Sequence, residues 1–273
     1  MKNFIKTVTR PNERFLVLLQ ASSFLIFCWA LFQSYGLGWW ALGVFGYFLI
    51  FCLGITITFH RLMAHRSYTL WKPLEYLFSF FANLGCTGSS VGWIFVHRAH
   101  HKYSDKPGDP HSPIVHGRIG AMIGQYGQAF DKWQVRDIIA DPVHRFYHNY
   151  HLLILTCVPL LLYFIKFELF IFLFAVPVFL NAAASRMSNW IDHEPIFGVK
   201  TNHSPDYAHN VWWWSLLTFG EGWHNNHHAF PWNYKFGLKW YEIDMGKYII
   251  QLLHFFGLVE YMQSPLNSAS DLD

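Results

Sequence analysis

Hydrophobic positions in this chain come in blocks. Apolar runs extend from Phe15 to Tyr35, Leu37 to Phe59, Tyr147 to Ile165 and Phe167 to Met187, each close to the roughly 20 residues a helix needs to cross a hydrocarbon core about 30 Å thick. The first pair is separated by S-Y-G-L-G at Ser34 to Gly38 and the second by Lys166, turns too short to hold a domain. The pattern predicts an all-α integral membrane protein with four transmembrane helices in two hairpins. The first run is too long, and too poor in a small-residue cleavage site, to be a secretory signal. Lys2, Lys6, Arg10 and Arg14 precede it, so the positive-inside rule puts the amino terminus in the cytoplasm. Both hairpins then return to that side. Residues 60–146 and 188–263 are accordingly expected to form a cytoplasmic cap, and 264–273 a polar tail, within one membrane domain spanning 1–273.

Two segments of the expected cap are themselves apolar. Leu74 to Phe95 is broken by G-C-T-G-S-S at Gly85 to Ser90 and reads as an interfacial or half-inserted segment, because a full extra span would strand the residues after it on the far side. Tyr241 to Val259 has an amphipathic pattern suited to a helix lying on the membrane surface. Tryptophans at 39–40 and 212–214 read as an interfacial aromatic belt.

Composition sharpens this picture. The chain is 53% hydrophobic and only 14% charged, against about 25% charged in ordinary soluble domains, so the surplus apolar surface must face lipid. A net charge of +3 without any basic run excludes a nucleic-acid partner. Cys28, Cys52, Cys86 and Cys157 lie inside apolar stretches with no C-x-x-C spacing and read as buried, reduced packing residues.

The candidate chemistry is imidazole. Nine of the 17 histidines fall in four short groups beside the apolar runs: His60 and His65, then His97, His100 and His101, then His193, then His224, His227 and His228. At about 100° per residue, an H-x-x-H-H triplet occupies one face of a helix within roughly 100°. Both such triplets can therefore aim three ring nitrogens at one place, and Asn189 with His193 forms a further pair on one face. His60 and His65 are five apart, about 140° round an α-helix, and need a helix end or bend between them. All groups fall on the predicted cytoplasmic side, as a shared site demands. Neutral imidazoles suit Zn, Cu, Fe and Ni, and nine are too many for one tetrahedral ion. They fit two sites of four or five nitrogens with room for an oxygen ligand, which favours a redox-active pair. His144, His148 and His151, at helical spacing, read as structural or interfacial. His111, His116, His203, His209 and His254 are also read as non-ligands.

Taken in order, H-R-L-M-A-H, H-R-A-H-H-K-Y-S-D, N-W-I-D-H and G-E-G-W-H-N-N-H-H-A-F-P resemble the membrane fatty acid desaturases, most of all the Δ9, stearoyl-CoA-type branch. The resemblance implies a helical cap holding two Fe ions (Fe2+) on His60, His65, His97, His100, His101, His193, His224, His227 and His228, with Asn189 acting through water. The stretch from Asn189 to His193 departs from the family, which usually has small residues between. Asp105, Asp109, Asp192, Glu194 and Glu221 lie close to the boxes and are candidates to accept the second N–H of a ligating ring. Arg98, Lys102 and Lys106 are candidates to hold an anionic head group or an acidic electron donor.

An unactivated methylene has no useful acidity, so a general base cannot start its oxidation and a metal with oxygen must. O2 takes four electrons and the acyl chain gives two. With no fused haem domain in the chain, the resemblance implies that a separate ferredoxin or small haem cytochrome supplies the rest. The long-chain acyl substrate would be linked to CoA, to a lipid or to acyl carrier protein. Alternatives are a membrane di-iron hydroxylase or ketolase of a lipid or carotenoid, and a non-enzymatic membrane metal or haem carrier. The absence of all nine histidines from span centres argues against a carrier.

Overall fold

The computed structural model describes residues 2–124 and 131–264, so the expected tail from residue 265 lies outside the described residues. It is helical throughout, and the only strand-like pairing among the described residues is a few isolated bridges. The helices are α1 (Lys2–Leu31), α2 (Leu37–Tyr47) continuing into a π-helix (Phe48–Ala64), α3 (Lys72–Leu84), α4 (Ser90–Tyr103), α5 (Pro113–Ile123), α6 (Arg136–Ala140), α7 (Pro142–Asn149) and α8 (His151–Ile165). They are followed by α9 (Phe167–Phe170), a π-helical turn (Ile171–Ala175) that feeds α10 (Val176–Ile191), then α11 (Trp212–Leu217), α12 (His224–Ala229) and α13 (Met245–Phe255).

Three continuous helices are long and apolar enough to cross a membrane, namely Arg14–Leu31, Leu37–Ala64 and Phe167–Ile191, and a fourth arises if α7 and α8 count as one bent span. The first run stops being helical at Leu31, where Phe32 to Gly36 form the turn into α2. The run from Tyr147 to Ile165 is not one straight rod: α7 and α8 meet at 73°. The bend has a local cause. Asp141 caps α7 through Val143 N and His144 N, while His144 bonds Glu75 at 2.8 Å, His148 bonds Ser89 at 2.7 Å and His151 bonds the Asn83 carbonyl at 3.0 Å. These histidines bind the bent pair to α3 and the start of α4, the structural role expected of them.

The centre of the molecule is the π-helix, buried along almost all its length from Ile50 to Ala64. Helix α3 lies directly on it. Any Cβ at Gly54 would stand 2.6 Å from the Ala82 backbone nitrogen, so only glycine permits this approach. Leu74 to Phe95 becomes α3, a break and the first half of α4, and Tyr241 to Val259 contains α13. Cys52 and Cys86 are buried and Cys28 is half-buried, but Cys157 is exposed on α8. That corrects the expectation of four buried thiols: an apolar run that faces outward carries its cysteine with it.

Candidate metal centre

The π-helix resolves the awkward spacing of His60 and His65. Its backbone closes from residue i to i+5, with His65 N donating to His60 O at 3.1 Å, so residues five apart stack one above the other rather than diverging. Thr58 makes the same five-residue step, its hydroxyl donating to Leu53 O at 2.7 Å. The rings of His60 and His65 stand 5.2 Å apart.

Helix α4, capped by Ser89 accepting from Gly92 N, presents His97, His100 and His101. Helix α12 presents His224, His227 and His228, and the two asparagines inside its box anchor it. Asn225 Oδ1 accepts from the backbone of Thr201 and Asn202, while Asn226 Nδ2 donates to Phe236 O at 2.8 Å and Glu242 Oε2 at 2.9 Å. The polar residues between the histidines thus fix the helix that carries them. Beneath the π-helix, the fully buried Arg61 forks onto Asp244 at 3.0 and 2.9 Å and lies 3.8 Å over the Phe236 ring, which in turn packs on His227 at 4.2 Å.

These elements bring all nine histidines into two adjoining groups. His60, His65, His97, His101 and His227 form one, and His100, His193, His224 and His228 the other, with the ligand atoms of each within 4.8 Å of one another. Each H-x-x-H-H triplet is split between the groups. The rings of His101 and His228, one from each group, are 4.5 Å apart.

The contacts within the groups fit cations. Nε2 atoms face each other at 2.9 Å between His60 and His227, 2.7 Å between His65 and His97, 2.9 Å between His227 and His101, 3.1 Å between His193 and His224 and 3.3 Å between His100 and His228. The opposite nitrogen is committed in four rings. His60 Nδ1 shares a hydrogen bond with Glu221 at 2.5 Å, while His100 Nδ1 donates to Asp109 at 2.9 Å, His193 Nδ1 to Asp105 at 2.9 Å and His228 Nδ1 to Asp206 at 2.7 Å. A neutral ring that donates through Nδ1 bears only a lone pair at Nε2. In the His100–His228 pair both lone pairs point at each other, which is stable only with a positive charge between them. Two nitrogens bound about 2.1 Å from one ion stand roughly 3.0–3.4 Å apart, close to the spacing present.

Burial keeps the rings neutral and so able to ligate. It pushes His97, His101, His224 and His227 well below the ordinary imidazole range, helped by repulsion from neighbouring rings, and His65 down to about 3. Burial raises the Asp105 carboxyl, but the His193 N–H, the Ser112 hydroxyl and the Tyr207 backbone N–H outweigh it and hold the group at about 2. Glu221, buried among the histidines, is pushed up to about 8 although Arg61 opposes the shift.

Of the five carboxylates expected beside the histidines, Asp105, Asp109 and Glu221 hold ring nitrogens. Asp192 and Glu194 do not. Asp192 is fully buried on the cavity wall, with no histidine on its carboxylate, while Glu194 takes Arg118 at 2.8 Å and the Trp190 indole N–H at 3.2 Å. The carboxylate missed by sequence reasoning is Asp206, in the loop before α11, with no periodicity and 22 residues from its ring. Replacing Asp206 with alanine is expected to weaken metal binding at the four-histidine group about 10- to 100-fold, as measured by competition with a chelator. Unchanged affinity would mean that Asp206 serves only its loop.

Asn189 sits on the cavity wall four residues before His193, its amide donating to Ala121 O at 3.3 Å. His111 stacks on His100 at 4.3 Å and borders Asp109, whose oxygens already serve the His100 ring. Arg98 is committed to Asp137, Gln134 O and the Met63 and Ala64 carbonyls. It braces the end of the π-helix and has little left for a head group.

Both histidine groups open on a cavity of about 250 Å3 whose walls include Phe51, Ile55, Trp93, Phe95 and Val96 and which reaches Leu16 and Val17 of α1. Trp93 stacks on His97 at 5.0 Å. The tryptophans at 39–40 and 212–214 do not line it.

Comparison with known proteins places this arrangement. Residues 37–257 match the family model described as fatty acid desaturase. The chain is 32% identical, over 97% of its length and 87% of the relative's, to an sn-1 stearoyl-lipid 9-desaturase of Synechocystis sp.. It is 34% identical to an sn-1 stearoyl-lipid 9-desaturase of Anabaena variabilis, over 93% of this chain and 95% of the other. An acyl-CoA C20 Delta5-desaturase of Anemone leveillei is also 34% identical, over 78% and 70%.

Proposed function

The chain belongs to the fatty acid desaturase family, and from that premise we propose that it inserts a cis double bond, at the Δ9 position, into a saturated acyl chain carried by a membrane lipid. The observation that carries this reading is the pair of adjoining all-imidazole groups opening on one apolar cavity. The enzyme is an oxidoreductase of lipid metabolism.

The five- and four-histidine groups would each hold an iron ion, which would supply the capacity to activate O2 and oxidise an unactivated methylene. The side chains do the rest. Glu221, Asp109, Asp105 and Asp206 fix the orientation of their rings. Phe51, Ile55, Trp93 and Val96 hold the acyl chain and exclude water beside the histidines. Asn189 offers its remaining amide oxygen to a water at the cavity wall. Two electrons come from a separate ferredoxin or small haem protein, since the substrate provides only two of the four that O2 consumes.

Three helices long enough to span a bilayer, with α7 and α8 as a fourth bent span, support four spans in two hairpins, and Lys2, Lys6, Arg10 and Arg14 before the first span support an amino terminus and histidine-bearing cap on the cytoplasmic side. The expected result in cells expressing the protein is a new monounsaturated fatty acid, found by gas chromatography and mass spectrometry, its double bond located by derivatisation at C9. It should appear first in intact membrane lipids. Hydroxylated or oxo products would favour oxygenation over desaturation, and a double bond elsewhere would refute the Δ9 assignment alone.

A further inference from the structure

A cavity built only to hold a saturated chain has no use for polar walls, yet one part of this cavity is polar. Arg186 and Ser185 of α10, Gln20 of α1 and Thr87 in the α3–α4 break all line it. The Ser185 and Thr87 hydroxyls are buried with no hydrogen-bond partner. Arg186 donates from Nε and Nη2 to Gln20 Oε1, at 3.2 and 2.5 Å, and from Nη1 to Met122 O at 2.8 Å and Ile123 O at 3.0 Å. Every acceptor is neutral. A guanidinium has five N–H groups, so one on Nη2 remains, and no carboxylate lies within ion-pair distance among the described residues. Gln20 is itself held in place, its Nε2 donating to Cys86 O at 2.7 Å. The result is an uncompensated positive charge, locked in one orientation, beside two unsatisfied hydroxyl donors.

We propose that Arg186, Ser185 and Thr87 bind the anionic oxygens of the substrate's head, so that the enzyme selects acyl substrates bearing a negative charge. This deepens the desaturase reading and rests on it. A half-buried cation and two buried hydroxyls free to donate match a phosphate or carboxylate, not an alkyl chain. The position fits as well. Gln20 lies six residues after Arg14 and Arg186 five residues before the end of α10, both near the cytoplasmic ends of their spans, where lipid head groups lie. Arg186 lies about 7.5 Å of helical rise before the end of α10 at Ile191, and His193 follows two residues beyond that end. An anion held there lets the acyl chain meet the histidine groups partway along its length rather than at its end.

The test measures binding, not turnover, on purified full-length protein in detergent, with distearoyl phosphatidylglycerol, an uncharged distearoyl galactolipid and stearate as probes. An anionic probe is expected to bind about tenfold more tightly than the galactolipid, the worth of one charge-assisted hydrogen bond, and Arg186→Gln to remove that advantage. An advantage for phosphatidylglycerol identifies a phosphate head, and one for stearate a carboxylate. Equal affinity for charged and uncharged probes, or an advantage that survives Arg186→Gln, overturns the proposal. Because Arg186 also ties down the end of α5, Thr87→Val and Ser185→Ala provide an independent reading. Each is expected to weaken anion binding severalfold without lowering the unfolding temperature, and no weakening in either rejects the site. Failure of the desaturase reading would show instead as absent product with binding intact.

Discussion

Replacing His227 with alanine is expected to abolish desaturation, lowering product by more than about 100-fold, beyond the loss caused by removing a residue that only supports a ligand. Its Nε2 stands 2.9 Å from both His60 Nε2 and His101 Nε2, so it closes the five-histidine group between the π-helix and α4. Iron content should fall together with product. His148 is the control: it lines the same cavity, but its Nδ1 meets the Ser89 hydroxyl. His148→Ala should retain most activity and all its iron. Fatty-acid profiles and metal analysis on both variants would decide, and equal losses would dissolve the distinction between the nine histidines and the others.

Asp244→Ala is expected to produce the largest loss of stability. Arg61 and Asp244 are both completely buried, and Asp244 also accepts from the backbone of Phe236, Gly237 and Lys247. Removing the carboxylate would leave a guanidinium without a counter-charge in the buried interior, at a cost of about 3–5 kcal/mol. For a chain of this size that lowers the unfolding temperature by roughly 10 °C. Thermal unfolding in detergent checks it. A shift no larger than that of an exposed substitution would mean that water or a rearranged neighbour compensates Arg61.

Helices and histidine sets were legible in the sequence because both depend on short-range periodicity. Apolar runs mark membrane-length helices wherever they occur, and H-x-x-H-H places three rings on one face by geometry alone. The division into groups was not legible, since His100 joins His228 while its neighbour His101 joins His227. That depends on how α4 and α12 cross, which no local pattern encodes. The π-helix was hidden for a related reason: nothing in the local pattern of F-L-I-F-C-L-G-I-T-I-T-F-H-R-L-M-A distinguishes it from an α-helix, and only the five-residue spacing of His60 and His65 hinted at an irregularity. Carboxylates were the least legible. Proximity in sequence singled out Asp105, Asp109, Asp192, Glu194 and Glu221, whereas the fold sets Asp105, Asp109, Glu221 and the distant Asp206 against histidine rings, because a long-range partner is chosen by loop packing.

The interleaving of the two histidine groups makes maturation of the nascent chain all-or-nothing. His60 to His101 and then His193 are synthesised first, but the five-histidine group still lacks His227 and the four-histidine group still lacks His224 and His228 until α12 has been made. The helix carrying the last box must pack beside α4 before either group closes. Neither group is complete until α12 has been made, so a chain stopped before His224 would carry six of the nine histidines and no finished group.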